Sequence, residues 1–148
     1  MNQVLSAILV MLVGGALLAL QAPTNAMLGR AVGSPVNAAF VSFLVGTAVL
    51  IVVTLSLRVK PDVEAVKALP WYAWLGGAYG AFLVAATTFA APRIGVASAL
   101  TLAISSQLVV ALVLDQFGAF GLARLAVTPA KVAGVVLVAI GVVLVRRG

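Results

Sequence analysis

The sequence predicts an all-α, polytopic membrane protein with five transmembrane helices. Of its 148 residues, 64% are hydrophobic and only 8% are charged, whereas about a quarter of the residues of a soluble domain carry a charge. The apolar residues form five long runs, each close to the roughly 20 residues that cross a bilayer as a helix. We therefore expect a single five-helix transmembrane domain over residues 1–148.

The first helix is predicted over residues 4–28, and the polar residues near its far end are our main functional candidates. Gln21 and Asn25 are four residues apart, so both amides point to one side of a helix. Pro23 lies between them and lacks an N–H, so we expect the helix to bend or open there. Amides beside a break at membrane depth are typical of a transporter binding site. The alternative is that they only hold neighbouring helices together.

The second helix is predicted over residues 36–57. Ala38, Ser42 and Gly46 recur every four residues and form a stripe of small side chains, which lets helix backbones approach closely in lipid. Ser42 is also a candidate contributor to a solute site. Asn37, at the start of the helix, is either a cap or a site residue, and we favour the cap.

The third helix is predicted over residues 71–91. It follows the chain's only sizeable polar stretch, which forms either a short interfacial helix or a solvated loop. Gly76 and Gly80 have the spacing that is typical of close helix packing in membranes. Trp74 belongs to an aromatic cluster at the membrane interface, and Tyr79 lies among the glycines. Both aromatic side chains are candidates to line a cavity.

The fourth helix is predicted over residues 96–116 and has an amide near its middle. This residue is Gln107, and Ser105 belongs to a neighbouring face that is rich in hydroxyls. Burying an amide at that depth without a partner would cost about 2–7 kcal/mol. We therefore expect a partner for Gln107, and the natural candidates are Gln21 and Asn25 of the first helix.

Asp115 is the only acidic residue inside or bordering a predicted span. A proton-coupled carrier needs a carboxylate that titrates, so Asp115 is the candidate for ion coupling. Its position at the end of the helix favours another role, in which it pairs with Arg124 or Lys131 near the water.

The last helix is predicted over residues 129–145. Thr128 is a good N-cap before it. Gly134 and Gly141 belong to its small-residue face, and its middle has no strongly polar residue. We therefore expect a helix that serves packing or dimerisation.

The composition also excludes several classes of function. The chain contains no cysteine and no histidine, which removes disulfides, imidazole bases and the usual zinc ligands. No catalytic constellation is visible, so we expect neither an enzyme nor a bound metal or cofactor. The net charge of +6 comes from basic residues scattered singly between apolar runs. They indicate interfacial anchors and contacts to anionic membrane lipid, and no nucleic acid partner.

The basic residues are almost evenly divided between the two sides of the membrane. Five spans put the termini on opposite sides. The side of the N-terminus then has five basic residues and the other side four: Arg58, Lys60, Lys67, Arg124 and Lys131 against Arg30, Arg93, Arg146 and Arg147. Because orientation depends on an imbalance of such residues, we expect both orientations to insert and to form an antiparallel dimer.

Several short motifs together suggest a family. They are Gln21-x-x-x-Asn25, Leu28-Gly29-Arg30, Pro35 with Ala38-Ala39, Ser42-Phe43-x-x-Gly46, Gly76-Gly77-x-x-Gly80, Ala91-Pro92-Arg93-Ile94-Gly95, Gln107-Leu108 and Asp115-x-Phe117-Gly118. Over essentially its whole length the chain resembles the YdcZ-type family of small bacterial membrane proteins, within the drug/metabolite transporter superfamily. The resemblance implies a five-helix, multi-pass protein of the bacterial inner membrane that works in transport as a pair, either as oppositely oriented partners or as fused tandem copies.

The same resemblance implies a difference from distant relatives, the small multidrug exporters. Those proteins share an acidic residue in their first helix, where this chain has the amides Gln21 and Asn25. Proton-coupled export of cationic drugs is therefore in doubt, and a neutral or zwitterionic solute suits amides at least as well.

We predict a small secondary transporter that works as an antiparallel dimer, with a second copy or a homologous chain as the inverted partner. The predicted site for its small-molecule solute is formed by Gln21, Asn25 and Gln107, with contributions from Ser42, Trp74, Tyr79 and Ser105. Two alternatives are open: a dual-topology ion channel or pore, and a membrane scaffold subunit that transports nothing.

Overall fold

The computed structural model describes residues 2–58 and 60–147, and all regular structure within them is helical. The α-helices are α1 (Gln3–Ala31), α2 (Pro35–Ser56), α3 (Val63–Lys67), α4 (Gly76–Ile94), α5 (Val96–Phe117) and α6 (Pro129–Arg147). Two short 3₁₀ helices occupy Trp71–Leu75 and Ala119–Gly121.

Within the described residues, five helical segments are long and apolar enough to cross a membrane. They are α1, α2, α5, α6 and the combined segment Trp71–Ile94, in which the first 3₁₀ helix leads into α4. The prediction of an all-α protein with five membrane-spanning helices is thereby confirmed. The antiparallel dimer and the single domain stay predictions.

α1 continues without interruption through Pro23, so the predicted opening of the helix does not occur. Pro23 lacks the N–H that would bond to the Ala19 carbonyl, and its neighbour Thr24 makes additional bonds one turn away. The Thr24 hydroxyl donates to the carbonyls of Leu20 at 3.0 Å and Gln21 at 2.9 Å. Such back-bonding by a threonine satisfies carbonyl groups that would otherwise face lipid.

Side-chain hydrogen bonds stabilise the connection between α1 and α2. The Ser34 hydroxyl accepts from the backbone N–H groups of Val36 at 3.1 Å and Asn37 at 3.3 Å, so Ser34 is the N-cap of α2. The Asn37 amide donates to the Val32 carbonyl at 3.2 Å, at the end of α1. Asn37 therefore serves the connection, as favoured from the sequence, although the N-cap itself is Ser34.

The polar stretch before the third span contains a one-turn helix, α3. The Asp62 carboxylate caps it by accepting from the backbone N–H groups of Glu64 and Ala65, both at 3.1 Å. Lys67 and Glu64 form an exposed ion pair at 2.8 Å. Of the two predicted alternatives, a short helix or a loop without regular structure, the structure contains the short helix.

The chain packs as two compact units, Met1–Pro92 and Arg93–Gly148. In the first unit the buried positions are Ala22, Asn25, Ala26, Ala38, Ala39, Val84, Thr88 and Ala91. In the second unit, where α5 packs against α6, they are Ser98, Ala99 and Val142. Alanine dominates the first set, as expected where membrane helices approach closely.

α1 and α2 bury residues only near the connection that joins them. The buried residues of α1 fall between Ala22 and Ala26, and those of α2 are Ala38 and Ala39. Farther away, a Cβ atom added at Gly14 or at Gly46 would meet nothing within 4 Å. The predicted small-residue stripe of α2 therefore begins packed at Ala38 and is open at Gly46.

Candidate functional site

Three helices of the first unit meet at a point near the end of α1. A Cβ atom added at Gly29 of α1 would lie 3.2 Å from Thr88 Cγ2 of α4 and 3.7 Å from Ala38 Cβ of α2. Ala38 is 0% exposed and Thr88 is 3% exposed. We call this point, formed by Asn25, Gly29, Ala38 and Thr88, the α1–α2–α4 junction.

Asn25 belongs to the junction through its position on α1. Ala22, Asn25, Ala26 and Gly29 have the i, i+3, i+4, i+7 spacing of a single helix face. That face is the packed one, since Ala22 is 2% exposed, Asn25 6% and Ala26 7%. The helix therefore turns the Asn25 amide toward the protein interior, as the sequence predicts for a site residue.

The Asn25 amide is buried without a complete set of hydrogen bonds. Its Nδ2 atom has no hydrogen-bond partner among the residues that the structure describes. Leaving a buried polar group unpaired costs about 1–3 kcal/mol in proteins. Native structures pair the great majority of such groups, so an unpaired one calls for an explanation.

The hydroxyl groups close to Asn25 along the chain and at the junction donate elsewhere. Thr88 donates to the Val84 carbonyl of its own helix at 2.7 Å. The Thr24 hydroxyl donates to carbonyls of α1, as described above. Neither hydroxyl accepts from Asn25 Nδ2, which leaves this donor free to bind another group.

Two other predicted site residues of the first unit, Gln21 and Ser42, lie one helical turn from residues of the junction. Gln21 lies four residues before Asn25 on α1 and is half-buried. Ser42 lies four residues after Ala38 on α2 and is also half-buried. Both can border a space that opens at the junction.

The two predicted aromatic residues are not enclosed by the single chain. Trp74 is 64% exposed, in the 3₁₀ helix, and Tyr79 is 65% exposed, in α4. Gly76 is open, whereas a Cβ atom at Gly80 would lie 3.3 Å from Phe43 Cζ of α2. Gly80 thus accommodates a neighbouring helix, while a cavity-lining role for Trp74 and Tyr79 stays a prediction.

The remaining predicted site residues lie in the second unit. Gln107 is exposed on α5, and Ser105 is half-buried and donates to the Thr101 carbonyl at 2.8 Å. The predicted contact of Gln107 with Gln21 or Asn25 stays a prediction. On α6, Gly134 and Gly141 have open space where a Cβ atom would be, so their packing role also stays a prediction.

Asp115 has the structural partner that the sequence suggested. Its Oδ2 atom lies 3.6 Å from Lys131 Nζ, and about a third of each side chain is exposed, 36% for Asp115 and 35% for Lys131. Arg124, the other suggested partner, donates from Nε to the Gln116 carbonyl at 2.9 Å. An ion-coupling role for Asp115 stays a prediction.

Gln116 organises the end of α5, and its role was missed from the sequence. Its side-chain Oε1 accepts from the Val127 N–H at 2.8 Å, across the connection to α6. The neighbouring Asp115 carbonyl accepts from the Leu125 N–H at 2.9 Å. An amide at a helix end before a glycine-broken connection is the signal that could have identified it.

A groove of about 330 Å³ lies between α5 and α6 in the second unit. Its lining is Val109, Leu112, Val113, Gln116, Phe117, Val127, Val132, Val135 and Val136. Solute sites usually combine apolar walls with several converging polar groups. With Gln116 as its one polar side chain, this groove suits an acyl chain better than a polar solute.

The comparison with protein families gave one match, which covers nearly the whole chain. A family described as "Putative inner membrane exporter, YdcZ" matches residues 6–144. No curated protein matched the chain, and no solved structure did. The matched range includes the α1–α2–α4 junction and every residue of the predicted solute site.

Proposed function

Since the chain belongs to the YdcZ family of inner membrane exporters, we propose that it is a small secondary transporter working as an antiparallel dimer. Family membership and the five spans make it a multi-pass inner membrane protein of a transporter family. The proposal adds a bound small solute, a site at the α1–α2–α4 junction and a second, inverted copy.

The unpaired amide of Asn25 is the observation that carries this proposal. A polar residue within a membrane span is costly and usually marks a substrate or ion pathway. Asn25 is 6% exposed and its Nδ2 atom has no partner in the described part of the chain. A solute that pairs with this donor would remove the cost, which gives the residue a function that packing alone does not.

Two features support the dimer. Between 0% and 11% of the most apolar window of each span is buried within the single chain. Gly14, Gly15, Gly46, Gly76, Gly134 and Gly141 all have open space where a Cβ atom would be. Stripes of such residues let a second set of helices approach closely, and the balanced basic residues allow that set to be inverted.

In the proposed mechanism the two copies share one central site. Gln21, Asn25 and Gln107 of both copies line it, and their amides hold the solute by hydrogen bonds. The glycine-rich surfaces allow one copy to rock against the other, and we propose that this motion separates α1, α2 and α4 so that the site opens to each side in turn. Two inverted copies would thereby form the arrangement that many carriers build from two inverted repeats within a single chain.

The experiment is a pair of amide replacements with opposite expected effects on stability. Asn25→Leu removes an unpaired buried group, so we expect stability to rise by about 1–3 kcal/mol while solute flux in proteoliposomes is lost. Gln116→Leu leaves the Val127 N–H without its acceptor, so stability should fall by about 1 kcal/mol with flux retained. Unfolding in detergent and flux are both measured. If Asn25→Leu is destabilising and transport continues, Asn25 is a structural residue and this site is wrong.

The hydrogen bonds that the hydroxyl groups of α5 donate favour a carrier over an anion channel. An anion channel would need the hydroxyl groups of α5 as donors, but those of Thr101, Ser105 and Ser106 each donate to a carbonyl of α5, at 2.9, 2.8 and 2.8 Å respectively. An anion needs donors, and these are already used by the helix itself. We therefore keep the carrier as the proposed function.

A further inference from the structure

We propose that the α1–α2–α4 junction selects solutes that present a hydrogen-bond acceptor and carry no positive charge. This inference rests on the proposed transport function and deepens it, because it names the chemical class of the solute. Three features of the first unit carry it: the donor left at Asn25, the absence of acids from its spans and the closed packing of the junction.

The free group at the junction is a donor. Asn25 Nδ2 can donate, and it has no partner among the described residues. Among the described residues of the first unit the other buried polar side chain is Thr88, which donates to the Val84 carbonyl and does not accept from Asn25 Nδ2. A solute therefore completes the junction by offering a lone pair, as a carbonyl, hydroxyl or carboxylate oxygen does. A quaternary ammonium has none to offer.

The charges of the first unit also disfavour a cation. The three spans of the unit, α1, α2 and Trp71–Ile94, contain no aspartate and no glutamate. The charged residue nearest to Asn25 along α1 is Arg30, five positions later, and it is positive. A buried cation needs a counter-ion, so a positively charged solute would find no compensation here, whereas a carboxylate would not be repelled.

The packing of the junction couples binding to opening. Ala38 and Thr88 are 0% and 3% exposed, and a Cβ atom at Gly29 would already press on Thr88 at 3.2 Å. A solute reaches Asn25 only when α1, α2 and α4 separate. Solute binding then satisfies the amide in the separated state, which favours the conformational change that a carrier requires.

Three probes of similar size and different chemistry test this class. N,N-diethylacetamide is a neutral acceptor, valerate is an anionic acceptor, and tetraethylammonium is a cation without an acceptor. Each is added at increasing concentration to the purified full-length protein in lipid nanodiscs, and the unfolding midpoint is recorded. Ligands that bind the folded state raise it. We expect a rise with the amide and the carboxylate and none with tetraethylammonium. An equal rise with tetraethylammonium, or no rise with any probe, overturns the proposal.

Replacement of Asn25 shows whether its amide is the group that discriminates between acceptor probes and the cation. Asn25→Leu should weaken binding of N,N-diethylacetamide by about tenfold, because the donor is gone. Asn25→Asp has nearly the same shape but replaces the donor with an acceptor, so it should lose valerate and gain tetraethylammonium. Asn37→Leu, which alters a bonded amide of the α1–α2 connection, is the matched control and should bind as the parent does. Unchanged discrimination in both Asn25 variants contradicts the proposal.

Flux measured in the same lipids separates this inference from the proposed function. If the amide and carboxylate probes bind but neither crosses proteoliposomes in exchange experiments, transport is wrong and the acceptor preference stands. If tetraethylammonium is transported as fast as the other two, transport stands and the solute class is wrong.

Discussion

Two primary amides in the spans have opposite hydrogen-bonding states, and this difference defines their roles. The Gln116 side chain accepts from Val127 and thereby fixes the connection that follows α5. The Asn25 side chain is more deeply buried, yet its nitrogen has no partner in the described residues. A paired amide stabilises the fold, whereas an unpaired one destabilises it. In the proposed function, solute binding to Asn25 removes this cost.

The ion pair of Asp115 leads to a prediction at the same scale. Asp115→Asn removes the charge that faces Lys131 at 3.6 Å, where about a third of each side chain is exposed. Because partly exposed pairs contribute little, we expect a loss of at most about 1 kcal/mol, and the double variant with Lys131→Met should show weak coupling. Solute exchange in proteoliposomes should persist.

The opposite result has a definite meaning for Asp115. If Asp115→Asn keeps solute exchange but abolishes flux driven by a proton gradient, then Asp115 is the coupling residue. The ion pair with Lys131 would in that case describe one protonation state of a working carboxylate. Lys131→Met is the control, since it disrupts the same pair and leaves the carboxylate in place.

At the scale of the helices, the length of each apolar run predicted the spans well. Lipid requires every backbone group to bond within its own segment, so a long apolar run has few alternatives to a helix. The observed spans follow from this requirement. Two of them extend three residues beyond the predicted end, α1 to Ala31 instead of residue 28 and α4 to Ile94 instead of residue 91. Pro23 did not open α1, which continues to Ala31, and the adjacent Thr24 hydroxyl bonds to the carbonyls of Leu20 and Gln21.

The buried face of each helix was harder to predict, and so was the site. The spans are apolar all around, so hydrophobic periodicity does not mark an inner face. Small-residue spacing identified Ala38 as packed, but the same stripe is open at Gly46. Asn25 was identified because an amide at membrane depth is rare, whereas its unpaired nitrogen depends on which groups the packing of three helices places beside it. Only coordinates reveal that.

The close approach at Gly29 gives a prediction for the junction. A Cβ atom there would lie 3.2 Å from Thr88 Cγ2, so Gly29→Leu overfills the contact between α1 and α4. We expect a loss of about 1–3 kcal/mol in the free energy of unfolding, the usual effect of overpacking. Gly14→Leu, at an open position of the same helix, is the control and should leave the unfolding of the monomer unchanged in strongly dissociating detergent. Equal losses in the two variants would mean that the junction is not tightly packed.

At the scale of the whole molecule, each chain provides apolar helices with little buried surface and an even distribution of basic residues. The most apolar windows of the spans are at most 11% buried within the chain. The balance of basic residues is the one property of the sequence that bears on orientation, and it favours neither direction.

That balance gives a prediction about orientation that cysteine labelling can check. The sequence contains no cysteine, so Ala68→Cys, in the connection after α3, introduces a single thiol. With five basic residues on one side and four on the other, we expect a membrane-impermeant maleimide to label about half of the molecules from outside intact cells. Adding Gln3→Lys and Arg30→Ala changes the numbers of basic residues on the two sides from five and four to six and three, so residue 68 should become cytoplasmic in nearly all molecules.

Transport by this biased chain tests the inverted pair. When it is the only chain produced, it should not transport. It should regain transport when produced with a second variant in which Arg58, Lys60 and Lys67 are alanine, since that chain inserts the opposite way. If the parent is labelled from one side only, or if the biased chain transports without its counterpart, the two copies are not inverted.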